Sequence, residues 1–294
     1  MKIILILCVL SLSCITNASS IDEASWYLSL DVNRIKDNEV FKALSIDNVR
    51  ENLPKEISHI VLYGDSKGSE DATAVLTGDF SRFSLADYIL DLASSKNAPV
   101  KITETRSNYH NYIISTLKAS SSENSEHRNK QAYFSKINDQ LYIVGFKLDE
   151  IKKWIDNSYS TLDINKGSLF SVVVNVESAL AHMGINLEDN SHHMMQSKIF
   201  QNVLQASASV TEVNEDMEIE LALNTADDKT ATQIEQILTG LIAMNNLSGN
   251  NERNELHTLL MQNLQVQRVG ANIFVSTFAA IAAIKDMQFH KHLN

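Results

Sequence analysis

A chain of 294 residues that is 44% apolar and holds only two prolines can bury a substantial core, and its length suits two domains of ordinary size. The formal net charge is −11, with lysine and arginine scattered rather than gathered in a stripe, which argues against nucleic acid and anionic lipid headgroups as partners. Both cysteines, Cys8 and Cys14, lie near the start, so the rest of the chain can form neither a disulfide nor a cysteine-held metal site.

Residues 1–20 read as a secretory signal peptide. Lys2 is a minimal positive n-region, Ile3 to Leu12 an apolar h-region, and Thr16-Asn17-Ala18 a small-residue cleavage site. The apolar run is about half of the roughly 20 residues that a membrane span needs, and the nearest later run, Phe278 to Ile284, is shorter still. The expectation is an exported chain, periplasmic or secreted. A mature chain without cysteine points to a bacterial envelope, since small secreted eukaryotic domains more often carry disulfides. Ser11-Leu12-Ser13 ahead of Cys14 raises a lipid anchor at Cys14 as the alternative, although lipoprotein signals place leucine one position earlier.

Trp26 to Ile35, WYLSLDVNRI, predicts a strand that ends at Asp31 and opens a helix. Glu39 to Asn52 carries a helical apolar face and Pro54 ends it. His59 to Asp65 and Ala72 to Phe80 alternate as a hairpin around a polar turn, and Ser84 caps a helix to Ser95. Val100 to Thr105 and Tyr112 to Leu117 read as further strands, and Lys118 to Lys130 as a polar loop tip. Ile137 to Phe146 is strand, tight turn, strand, followed by a helix at Leu148 to Asn157.

The same order then returns. Phe170 to Ala179 repeats Trp26 to Ile35, with Asn175 in the place of Asp31. Val61 and Tyr63 fall on Ala206 and Ala208; Ala74 and Leu76 fall on Ile219 and Leu221; Ile89 and Leu92 fall on Ile234 and Ile237. Asn251 to Asn263 reads as a helix where the first half has extra strands. Ile137 to Phe146 matches Val269 to Phe278, with a helix following at Ala279 to Phe289. The expected fold is therefore α+β: a tandem duplication of an antiparallel sheet with helices packed on one face, as residues 21–160 and 161–294 divided near Ser158 to Lys166.

Three groups of residues carry candidate chemistry. HIVLYGDSKG, holding Gly64-Asp65-Ser66, resembles the opening block of the SGNH (GDSL-type) esterases. That resemblance implies Ser66 as nucleophile, with Asp286 and His290 as its acid and base. The chain departs from the family in spacing these two as DxxxH rather than DxxH, and in lacking the Gly-x-Asn-Asp block; Asn138-Asp139 is the nearest segment. The repeat also sets Ser66 in a hairpin turn, whereas the family needs a strand-to-helix turn.

His182, His192, His193, Met194 and Met195 combine imidazole with thioether, a copper pairing. None of these histidines has the i, i+4 spacing of a helical metal pair, and the methionines also fit the core face of a helix with Ile199 and Val203. Asp31 and Asn175 share the strand-to-helix junction, where the plain role is a helix cap. Trp26 and Trp154 read as packing residues. No cofactor is implied. The expectation is a non-enzymatic binding or regulatory module in the envelope, with another envelope protein as partner. A serine hydrolase and a metal-binding protein are the alternatives.

Overall fold

The computed structural model describes residues 24–38, 53–64, 71–94, 100–121, 131–157, 167–176, 201–247 and 255–284. In the first half these form β1 (Trp26–Asp31), α1 (Val32–Asp37), β2 (Ile57–Gly64), β3 (Thr73–Gly78) and α2 (Leu85–Ser94). β4 (Val100–Tyr109), β5 (Tyr112–Ser121), β6 (Gln131–Asn138), β7 (Leu141–Gly145) and α3 (Leu148–Asn157) follow. The second half holds β8 (Phe170–Asn175), β9 (Val203–Val213), β10 (Asp216–Thr225) and α4 (Asp228–Leu247). α5 (Glu255–Gln262), β11 (Gln265–Val269) and β12 (Asn272–Ala280) complete it, and a helical turn spans 281–284. The fold is α+β, mostly antiparallel sheet with a few helices, and the sheet is not closed.

Two compact units divide the chain. One comprises Met1–Tyr27 and Pro54–Ile164, the other Leu28–Leu53 and Asn165–Asn294. In the first, hydrogen-bonded strands run β2-β3-β7-β6-β5-β4; in the second they run β11-β12-β10-β9-β8-β1. Every connection that is a hairpin joins neighbouring strands, as short antiparallel links require.

In the first unit, register decides which residues share a face. Val75 pairs with Ile143 and Val61, and these pack with Tyr63, Ile114, Ile151, Trp154 and Ile155, so α3 lies on this face. One residue along, Leu76 pairs with Tyr142, which points the other way. The Tyr142 ring meets Phe80 edge-on at 4.9 Å, and its hydroxyl donates to the Phe83 carbonyl at the approach to α2. α2 and α3 therefore use opposite faces. The expectation of helices on one face is corrected here: alternation along β3 and β7 is apolar on both sides, so each face needs its own cover.

In the second unit α4 and α5 share a face. Ala231 and Ile234 of α4 pack with Val203, Leu223 and Ile273, while Leu259 and Leu260 of α5 pack with Met217, Ala279, Ile281 and Ile284. Asp227 caps α4 by accepting the Thr230 N–H at 2.7 Å. The hydroxyl of Thr277, on β12, donates to the Leu260 carbonyl at 2.5 Å and ties α5 to the sheet.

The early segment belongs to this second unit by its own bonds. The Asp31 N–H donates to Leu169 O at 3.0 Å, the Arg34 guanidinium donates to Gly167 O, and the Asn38 amide donates to Glu212. Asp31 also accepts the Arg34 N–H at 3.0 Å and so caps α1, the plain role expected of it.

Candidate functional site

Ser66, Asp286, His290, His182, His192, His193, Met194, Met195 and Cys14 lie outside the described residues, as do residues 122–130 of the polar loop. The residues before Ser66 are described, and they account for one letter of its motif. Gly64 ends β2 beneath Trp26, and a Cβ built there would stand 2.9 Å from the indole ring. Close packing under Trp26 requires glycine at this position whatever the serine does.

Among the described residues, a bonded group of polar side chains lies along α3. Leu148–Asn157 is helical because its apolar residues recur every three to four positions, as Leu148, Ile151, Trp154 and Ile155, which turns one stripe to the sheet. Trp154 is 2% exposed and cannot reach water, so its indole N–H donates to the Tyr63 hydroxyl at 2.6 Å. Tyr63 in turn donates to Glu150 Oε1 at 3.0 Å, and Lys153 Nζ stands 3.2 Å from Glu150 Oε2. Burial first, and then the negative charge of Glu150, push the Tyr63 hydroxyl far above its ordinary range. The phenol therefore keeps its proton and holds it against the carboxylate. Such a chain fixes the helix on the strands.

A second group closes the far end of the same helix. The Tyr109 hydroxyl donates to Asp156 Oδ2 at 2.9 Å, and His110 Nε2 lies 3.2 Å from Asp156 Oδ1. Lys152 Nζ sits 5.2 Å from the centre of the Tyr109 ring. The hydrogen bond to Asp156 raises the Tyr109 hydroxyl above its usual value. His110 reaches this position with φ 51, in the tight turn between β4 and β5, so the hairpin tip is fastened to α3. Sequence reading places Tyr63 in a strand and Glu150 and Asp156 in a helix, and leaves Tyr109 between two strands. Alternation marked Tyr63 as inward-facing, but only the register of β2 against α3 shows what it meets.

Trp154 packs as expected, and its indole N–H also anchors the polar chain. Among the described residues no three histidine, cysteine or acidic side chains gather as a metal would need. No described helix is long and apolar enough to cross a membrane, which says nothing of strands.

No protein-family model matches the chain, and no curated protein matches it. Solved structures do. Crystal form IV of TP0453 is similar with a TM-score of 0.44 and 9% identity, covering 90% of this chain and 92% of that one. Form III has a TM-score of 0.43 at 10% identity, covering 90% and 93%. Form I has 0.41 at 10%, covering 90% and 92%. Likeness at these scores carries no argument about what the chain does.

Proposed function

We propose that this is an exported, non-enzymatic protein of the bacterial envelope, built by duplication of one sheet-and-helix unit and acting as a binding or regulatory module. The signal-like residues 1–20 and the absence of cysteine after Cys14 support export. The observation that carries the reading is the use made of the polar residues on α3: Tyr63, Trp154 and Glu150 bond one another and hold the helix to the sheet. A residue set committed in this way is scaffold.

Shared strand order supports the duplication. β2-β3-β7-β6 in one unit and β9-β10-β12-β11 in the other are the same path, with a helix between the second and third of these strands in sequence. In each, the face that receives that helix holds a cross-strand apolar pair, Leu76 with Tyr142 in one and Leu223 with Ile273 in the other. β4 and β5 extend the first unit beyond this common path.

The protein lacking residues 1–18, immobilised and exposed to envelope extract, is expected to retain a defined protein partner that survives moderate salt. Two further measurements set the alternatives against it. Short-chain ester hydrolysis that disappears in Ser66→Ala would replace the proposal with a hydrolase. Saturable copper or zinc binding by calorimetry, lost in His192→Ala with His193→Ala, would replace it with a metal-binding protein.

A further inference from the structure

Among the described residues β4 is the terminal strand of the first unit, and its outer edge has the chemistry of a self-pairing surface. The strand runs ten residues, Val100–Tyr109, and its register against β5 is unbroken from Val100–Ser121 to Tyr109–Tyr112. It has no proline and no bulge, the usual devices that blunt an edge. The terminal strand of the second unit, β11, is half as long, and Arg268 in it is held by Glu235 and the Gly270 carbonyl.

Turn geometry says which main-chain groups of β4 face outward. A two-residue turn, His110 and Asn111, makes Tyr109 and Tyr112 a hydrogen-bonded pair. Alternation then directs the N–H and C=O of Ser107, Thr105 and Thr103 to β5, and leaves those of Asn108, Arg106, Glu104 and Ile102 pointing away. The flanking side chains Thr103, Thr105, Ser107 and Asn108 are exposed.

The charges on this edge are self-complementary. Arg106 and Glu104 lie on one face of the strand, with Arg106 Nε 2.7 Å from Glu104 Oε1 and Arg106 Nη2 3.1 Å from Glu104 Oε2. A second copy laid antiparallel about Thr105 brings each Glu104 opposite the other copy's Arg106, at the positions whose outward main-chain groups pair. Centring the pair on Glu104 sets carboxylate against carboxylate, and centring it on Arg106 sets guanidinium against guanidinium. Charge therefore selects one register.

We propose that the chain forms a two-fold dimer in which β4 pairs with β4 of a second copy, centred on Thr105 and fixed by reciprocal Glu104–Arg106 pairs. Isologous pairing of identical edges closes on itself, so it ends at two copies and leaves β11 free.

Sedimentation velocity across a hundredfold range of protein concentration tests this on the chain lacking residues 1–18. The expected result is a monomer–dimer equilibrium that weakens with salt. Glu104→Arg and Arg106→Glu, each alone, set like charges across the pair, and each is expected to weaken the dimer at least tenfold. Mixed one to one they are complementary, and a heterodimer is expected to return. Circular dichroism on each variant separates loss of pairing from loss of fold, and the chain carrying both changes, expected to dimerise as the wild type does, supplies the same answer should one single variant not fold. A wild-type chain that stays monomeric throughout overturns the proposal. So does a dimer indifferent to both reversals, which would place the contact elsewhere, β11 included.

Discussion

At the scale of single residues, Tyr63 is where the energetics are sharpest. Replacing it with phenylalanine takes away the oxygen that accepts from the Trp154 N–H and removes a donor from Glu150. The expected cost is roughly 1–3 kcal/mol, read from urea denaturation midpoints. The pH dependence has a definite sign. Burial and Glu150 raise the folded Tyr63 pKa above its ordinary value of 10.0, so the folded state favours the protonated phenol. That contribution is whole below about pH 10, and it is lost as pH rises from there towards the folded value, because the unfolded tyrosine ionises first. The gap in midpoint between wild type and Tyr63→Phe is therefore expected to shrink on the alkaline side and to stay flat from about pH 6 to 9. A gap that widens with alkali would contradict the bond to Glu150.

At the scale of elements, Gly78 shows a constraint that binary pattern cannot express. A Cβ there would lie 1.8 Å from the Glu56 carbonyl oxygen, and the neighbouring Asp79 N–H donates to that same oxygen at 2.9 Å. Gly78→Ala must push two backbone segments apart at the end of β3. It is expected to destabilise the protein by roughly 3 kcal/mol in thermal or urea unfolding, whereas Gly240→Ala, on open helix surface, is expected to stabilise it by up to about 1 kcal/mol. Element existence was largely open to sequence reading for physical reasons. Asp31 caps α1, Leu148–Asn157 is helical over the predicted range, and Phe170–Asn175 is a strand, because period and cap residue agree in each.

Strand ends were harder. β4 and β5 run past Thr105 and Leu117, since polar Arg106, Asn108 and Lys118 suit an edge hairpin whose pattern no longer alternates cleanly. β6 begins at Gln131, ahead of the predicted Ile137. The match of Ile137–Phe146 to Val269–Phe278 also slips by one at the turn. Asp139-Gln140 forms the first turn and Gly270-Ala271 the second, with a register irregularity between Lys136 and Asn138 taking up the difference. Under the proposed duplication a slip of one exchanges the faces and sets Tyr142 against Ile273 rather than Phe274.

At the scale of the whole chain, sequence order and unit membership part company. Pattern reading set Leu28–Asp31 with the residues that follow it, because nothing local distinguishes which sheet a strand joins. Bonds from Asp31, Arg34 and Asn38 to Leu169, Gly167 and Glu212 set it in the second unit. The chain from Asn165 to Asn294, made alone, is expected to show weak protection of β8 in hydrogen exchange. Adding the separate peptide Ala24–Leu53 is expected to restore it; a fragment fully protected without the peptide would show the segment to be dispensable. The candidate chemistry was the least legible part. Ser66 and the histidine–methionine group stood out by residue type alone, while the bonded chain along α3 is assembled from residues that no short motif joins.

The placement of Leu28–Leu53 bears on how the molecule comes together in time. A ribosome delivers Asp31, Arg34 and Asn38 more than a hundred residues before Leu169, Gly167 and Glu212, so those bonds must wait until more than half of the polypeptide has emerged. Closure over so long a loop is slow. Completion of the second unit is thus deferred until the chain beyond Gly167 has been made.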